Sequence, residues 1–332
     1  MRNKKQAAKS FRGAALVLTL GAAALMVSAQ QGPAGGAGGR APQPLMVHQL
    51  KPNVYWVEGA GGNSAVIVGN NGVIVVDTKT TAPAGAELVA DVAKITPKPI
   101  TTVILTHSDG DHVNGLASFP AGIAIIAQEN CKTEMQAAGN TPAGAAIADH
   151  MPTRTVTKNM EDATIEGVHL RLLHFAPAHT SGDLMVYLPD DKIMFTGDIV
   201  AAQSPYPLIH TEKNGTSDGW ITTMNGILAT DAVTFVPGHG DVQMKADLQK
   251  RLADTAARRD QIKALAAQGK SLDDVRQGLN EPPPAARPGG GGGPGGPGAG
   301  PGGGPGAPAG AAGAARPNMA DFTAIVYGEV KK

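Results

Sequence analysis

The run from 281 to 317, EPPPAARPGGGGGPGGPGAGPGGGPGAPAGAAGAARP, carries almost no apolar side chains, and that decides where a core can form. A segment folds only if the apolar surface it buries offsets the entropy of ordering it, and this mixture buries too little. There is no strict Gly-X-Y period, so the run does not read as collagen; it is expected to be a disordered insert. Beyond it, residues 318–332 regain helical apolar spacing at Phe322, Ile325 and Val326. That spacing predicts a C-terminal helix docking on the core, with a frayed tail as the alternative.

The opposite end is bounded as clearly. Arg2, Lys4, Lys5, Lys9 and Arg12 precede an apolar stretch from Gly13 to Val27, and Val27-Ser28-Ala29 offers small residues for cleavage. Residues 1–29 therefore read as a secretory signal peptide. The apolar stretch is about 15 residues, short of the roughly 20 that a spanning helix needs. No cysteine lies near the cleavage site to carry a lipid. The expectation is a periplasmic or secreted protein with no membrane span after signal cleavage. Residues 30–44, rich in Gly, Pro and Ala, read as a flexible leader. Residues 45–280 remain, about 235 positions, enough for one α/β domain.

Lys and Arg number 28 against 28 Asp and Glu, and no basic stripe interrupts the balance. Nucleic acid is therefore an unsupported partner, and a small-molecule substrate is the expected one. Cys131 is the only cysteine, so neither an internal disulfide nor a sulfur-rich zinc site is available. It reads as a buried helix residue and not as a nucleophile. Oligomeric state is left open.

Within 45–280, β-branched runs predict strands at Val54–Val57, Ser64–Val68, Val73–Asp77 and Ile100–Leu105. Gly69-Asn70-Asn71-Gly72 between two of these runs is a hairpin signal. Further strands are expected at Ile123–Ala127, Thr153–Thr157, Val168–His174, Leu184–Leu188, Lys192–Thr196 and Val233–Val236. Helical spacing covers 83–95, Ser217–Leu228 and Met244–Ala267. Two strand-rich halves with helices between and after them predict an α/β fold in which two sheets lie between helical layers.

Chemistry concentrates just after these strands. His107-Ser108-Asp109-Gly110-Asp111-His112 follows VILT and packs four potential metal ligands into six positions. Imidazole and carboxylate in this mixture suit zinc, and also iron or manganese. An acidic surface turn with two histidines is the bland reading of that cluster alone. Yet His179 in AHTSGD, Asp198 in MFTGDIV and His239 in FVPGHGD each add one ligand in a glycine-containing loop at a strand end. An exposed loop residue explains any one of these better than it explains all three together.

In order and context these motifs resemble the metallo-β-lactamase superfamily, whose hallmark is His-x-His-x-Asp-His followed by single His, Asp and His motifs. The resemblance runs from about Val54 to Val242. It implies an αββα sandwich of two mixed β-sheets flanked by helices, with two divalent metal ions at the sandwich edge, zinc in the first place. By the same resemblance His107, Asp109 and His179 hold the first ion. Asp111, His112 and His239 hold the second, Asp198 bridges both, and Asp77 is a buried hydrogen-bond partner beside them. Asp109 departs from the pattern, standing where the second histidine is usual. Three carboxylates and one hydroxide against two divalent ions sum to zero charge, against one positive charge in the usual pattern. The bound water is then expected to be less acidic, and iron or manganese more competitive.

The resemblance implies hydrolysis of a small ester, lactone, thioester or amide by a metal-bridging hydroxide, with Asp111 as the catalytic residue. Glutathione thioesterases of the superfamily share the bridging Asp198, but their cytosolic substrate sits badly with a signal peptide. A β-lactam sits badly with Asp109. Two alternatives stand. Flavodiiron proteins of the same superfamily carry Glu at the position of Asp109, but nothing after Leu279 can form the flavin domain they need. A non-catalytic exported metal-binding module is the other. Among the remaining histidines, His48, His150, His169 and His174 lack such contexts, while His210 is placed to reach a substrate.

Overall fold

The computed structural model describes residues 44–281 and 321–331. The signal peptide, residues 30–43 of the leader and residues 282–317 of the insert lie outside them.

Seven strands form the first sheet: β1 (Met46–Lys51), β2 (Val54–Glu58), β3 (Ser64–Val68), β4 (Val73–Val76), β5 (Ile100–Ile104), β6 (Ala124–Gln128) and β7 (Arg154–Val156), in that spatial order. Pairing is antiparallel from β1 to β4 and parallel from β4 to β7. The second sheet is built from β8 (Met160–Ile165), β9 (Val168–Leu173), β10 (Met185–Leu188), β11 (Ile193–Ala201), β12 (Thr234–His239) and β13 (Gln243–Met244), ordered β13-β12-β11-β10-β9-β8. Only β11 and β12 run parallel there.

The helices are α1 (Ala82–Ile95), α2 (Gly110–Val113), α3 (Glu129–Ala137), α4 (Pro142–Ala146), α5 (Ser217–Leu228), α6 (Lys245–Ala267), α7 (Leu272–Gly278) and α8 (Phe322–Lys331). None among the described residues is long and apolar enough to cross a membrane.

Side chains alternate faces along a strand, so strands buried on both faces must read as unbroken apolar runs. Ala65, Ile67, Ile74, Val76 and Ile104 point between the sheets, meeting Leu170, Leu172, Val186, Leu188 and Phe195 from the second sheet. Their neighbours Val66, Val73, Val75, Val103 and Leu105 face the other way and pack on Leu88 and Val92 of α1. Met185, Tyr187, Met194 and Phe235 do the same against Trp220, Met224 and Ile227 of α5. The result is an αββα sandwich of two mixed sheets, the fold class the sequence predicts.

Local signals explain the element ends. The Gly69–Gly72 loop closes the β3–β4 hairpin, Gly69 N–H donating to Gly72 O (2.9 Å) where Val68 pairs with Val73. Thr81 caps α1 and Thr216 caps α5, each side chain accepting from a backbone N–H of the first turn. Sequence periodicity did not signal β1 and β8. Both are edge strands, and β8 (MEDATI) alternates exposed and half-buried positions, with Asp162 on the exposed side and Glu161 half-buried.

Helix α8 packs against α6 and α7 through Phe322, Ile325 and Val326, which share a buried cluster with Ile209, Ile262 and Val275. Phe322 stacks on Tyr206 with ring centroids 5.4 Å apart. Glu329 accepts the Ser217 N–H at the start of α5 (2.8 Å) and also its hydroxyl, a carboxylate placed where the helix dipole favours it. The helix thus backs the loop between β11 and α5. Truncating a buried Phe in such a cluster costs about 3 kcal/mol, so Phe322→Ala should lower the free energy of urea unfolding by about that much. A loss under about 1 kcal/mol would show that α8 adds little to the fold.

Candidate metal centre

The side chains singled out in the sequence meet along one edge of the sandwich, where the loops after β4, β5 and β9 come up to Asp198, inside β11, and His239, the last residue of β12; the sequence pattern predicts loops for both of these. Asp77, directly after β4, organises the first part. Thr106 donates its backbone N–H to Asp77 Oδ1 (2.8 Å) and its hydroxyl to Oδ2 (2.7 Å). His112 Nδ1 also lies 2.7 Å from Oδ2, in donor position. His107 Nδ1 sits 2.9 Å from the Thr106 hydroxyl oxygen, which can accept from it. His179 Nδ1 bonds to Leu208 O at 2.8 Å. In all three rings the Nδ1 hydrogen bond fixes the tautomer, so that the neutral ring turns its Nε2 lone pair toward the centre.

Those Nε2 atoms converge with carboxylates. His112 Nε2 is 3.3 Å from Asp198 Oδ1, and His239 Nε2 is 3.4 Å from Asp198 Oδ2 and 3.1 Å from Asp111 Oδ2. His179 Nε2 stands 3.2 Å and His107 Nε2 3.7 Å from Asp109 Oδ2. Three groups have ligand atoms all within 4.8 Å of one another: His107, Asp109 and His179; Asp111, His112 and His239; and His107, His112 and Asp198. All seven residues expected to hold metal fall in these groups, with Asp198 lying between the two sides.

Whether a cation fits can be asked of the donor atoms themselves. His107 Nε2, His112 Nε2 and Asp198 Oδ1 are buried and have no hydrogen-bond partner, a costly arrangement unless something positive binds them. Without a cation, the Lys213 ammonium on Asp109 and protonated imidazoles must balance the carboxylates. Burial by itself would lower His179 and His239, but Asp109 beside the first and Asp198 and Asp111 beside the second outweigh it, and both are pushed up to about 9. His112 rises well above its usual value, Asp77 and Asp198 overcoming burial, while burial keeps His107 well below. Divalent ions between the groups would supply the same balance with every imidazole neutral. The donor set fits two such ions.

Several residues that the sequence did not mark hold this arrangement. Asp183 accepts the backbone N–H groups of Ala178, His179 and Thr180 and the Thr180 hydroxyl, fixing the His179 loop; burial still pushes its carboxyl up to about 6. Lys79 is fully buried, and its ammonium donates to Val57 O (2.6 Å) and Gly62 O (2.9 Å), burial drawing its pKa down to about 7. The segment it ties down passes so close to the centre that a Cβ on Gly62 would lie 2.2 Å from His112 Cε1. Asn63 links that segment to the His239 loop through Pro237 O and Gly240 O. Lys213 Nζ reaches Asp109 Oδ1 at 2.5 Å and Ser108 Oγ at 2.9 Å. The position of Lys79 directly after VIVVDT, and of Asp183 four residues past His179, are the only signals the sequence offers for these roles.

The other histidines are occupied elsewhere. His48 stacks on Trp56, His150 contacts Phe119 O, His169 pairs with Asp162, and His174 Nδ1 bonds to Asp183 O. Cys131 is buried in α3. A cavity of about 530 Å³ opens over the centre, its lining including apolar Ala201, Pro205 and Leu208 and polar His210, Glu212 and Lys213.

The metallo-beta-lactamase superfamily model matches residues 57–239. A linear primary-alkylsulfatase of Pseudomonas sp. is 24% identical over 212 residues, covering 51% of this chain and 39% of that protein. The 2,4-dinitroanisole O-demethylase subunit alpha of Nocardioides sp. is 25% identical over 203 residues, covering 59% of this chain and 58% of its own length. The chain thus spans less than two thirds of either. The DIM-1 metallo-beta-lactamase structure superposes with a TM-score of 0.54 at 19% identity, over 64% of this chain and 97% of that one. With the family model covering more than half of its length, the chain belongs to the metallo-β-lactamase superfamily.

Proposed function

We propose that this chain is an exported hydrolase that holds two divalent metal ions, zinc first and iron or manganese as alternatives, and cleaves a small ester, lactone, thioester or amide. The observation that carries this reading is the convergence of seven imidazole and carboxylate side chains, three of whose buried ligand atoms lack hydrogen-bond partners. His107, Asp109 and His179 would hold one ion, Asp111, His112 and His239 the other, and Asp198 both. Bound there, the ions supply Lewis acidity, which brings the pKa of water toward neutrality and polarises a carbonyl.

The remaining work falls to the chain. Burial favours a protonated Asp111, but the His239 hydrogen bond and the His112 charge hold it down to about 2. Asp111 is therefore a carboxylate at neutral pH, bordering the cavity in a position to accept and orient a proton of the attacking water. Ala201, Pro205 and Leu208 offer apolar lining for a small acyl or alkyl group, and Lys213 offers a polar contact. The buried loops beneath, pinned by Lys79 and Asp183, keep the geometry fixed so that little reorganises during reaction.

Elemental analysis of protein purified without added metal tests the reading first: about two zinc ions per chain are expected, two irons would call for an oxygen-consumption assay of the di-iron redox alternative, and one ion or none would overturn the two-metal reading. Asp111→Asn should lower kcat at least about 100-fold toward any ester or lactone that the wild type hydrolyses. An unchanged rate in a folded variant would remove Asp111 from the mechanism. A pH dependence follows from the histidines. In metal-free protein His179 and His239 stand at about 9, above their ordinary value of about 6.5. A folded pKa raised in this way contributes stability that is complete below about 6.5 and is lost as pH rises through about 9. The Tm of chelator-treated protein should accordingly fall between pH 6.5 and 9 more steeply than that of the metal-loaded form; equal slopes would contradict the two-metal reading.

A further inference from the structure

We propose that His210 is an additional ligand of the first metal ion, completing with its imidazole a site in which Asp109 stands where a histidine is usual. The proposal rests on the two-metal reading above and adds to it a residue outside the seven already named. His210 Nε2 lies 2.9 Å from Asp109 Oδ2, closer than His179 Nε2 at 3.2 Å or His107 Nε2 at 3.7 Å to the same oxygen. Three imidazole nitrogens thus converge on one carboxylate oxygen.

The surroundings of His210 repeat those of the other inward-facing rings. Its side chain is only 7% exposed. Its Nδ1 is hydrogen-bonded to Glu212, as that of His112 is to Asp77, the carboxylate–imidazole pairing that orients a ligand ring. It meets His179 edge-on with centroids 4.9 Å apart, matching the 4.7 Å of His107 and His179. Its backbone N–H donates to His179 O at 2.8 Å, tying the two loops together. The second oxygen of Asp109 is taken by Lys213, so Oδ2 alone faces the histidines. With Asp198 holding both ions, His107, His179, His210 and Asp109 would bring the first ion to three nitrogens and two oxygens from the chain, the five-coordination to which zinc can expand.

Cobalt(II) can replace zinc and report its ligands directly. In the proton spectrum of the cobalt-loaded full chain, each coordinated histidine contributes a strongly shifted, exchangeable ring N–H signal. His210→Gln is expected to lose one such signal and to weaken uptake of one cobalt at least about tenfold. Glu212→Gln, which keeps the ring, should retain the full set and displace that same signal; it serves also if His210→Gln fails to fold. An unaltered set of shifted signals in both variants, with two cobalts bound, would mean that His210 only hydrogen-bonds to Asp109, and would overturn this inference while leaving the functional reading intact. A wild-type chain that takes up no cobalt would overturn both.

Discussion

The centre is organised around the buried carboxylate of Asp77. It stands at the end of β4 with φ of 57°, a left-handed conformation that a non-glycine residue adopts only when its surroundings enforce it. An unpaired carboxylate buried here would be prohibitively costly, and Asp77 avoids this by accepting from the Thr106 N–H, the Thr106 hydroxyl and the His112 ring. Those three bonds join the ends of β4 and β5 to α2. They also set the orientation of two of the five histidines proposed as ligands, because Thr106 in turn engages His107. Removing the carboxylate would release the tautomer of His112 and the aim of His107 together.

The same device recurs across the site. Asp183 gathers three successive backbone N–H groups around its carboxylate and so shapes the loop that presents His179. Lys79, also at positive φ, spends a buried ammonium on two carbonyls of the segment that passes beneath His112. Asn63 passes the constraint on to the His239 loop. Glycine is required where these loops touch: a Cβ on Gly238 would fall 1.9 Å from Asp198 Oδ1. The loops therefore brace one another as well as being held by the sheets, and strain at Asp77 and Lys79 is offset by hydrogen bonds that no single loop could make alone.

Much of the architecture was legible because it depends on local periodicity. Strands such as Val73–Val76 and Met185–Leu188 are buried on both faces and so appear as plain apolar runs. The seven residues that converge were legible for a related reason: each is a His or Asp in or just after a strand, most of them beside a glycine. The supporting residues were not. Lys213 lies 104 positions from Asp109, and Asn63 lies 174 from Pro237, so no local pattern connects them. Edge strands β1 and β8 also escaped, since an edge that must resist pairing with other chains carries charge and loses the apolar signature.

Asp109 shows what the sequence could weigh only in part. Counted by ligands alone, its carboxylate cancels the positive charge that two divalent ions would otherwise retain, weakening their pull on a bound water. The structure adds the Lys213 ammonium at 2.5 Å from Asp109 Oδ1, in a part-buried setting where screening is weaker than in bulk solvent. One positive charge is thereby returned to the site without adding a ligand. The centre then has the harder oxygen donor that favours iron or manganese and, at the same time, an overall charge close to that of the ordinary two-carboxylate pattern. With ions bound as proposed, metal preference and water acidity, which the ligand count ties together, would be governed by different residues: the first by Asp109 and the imidazoles facing Oδ2, the second by the lysine behind Oδ1.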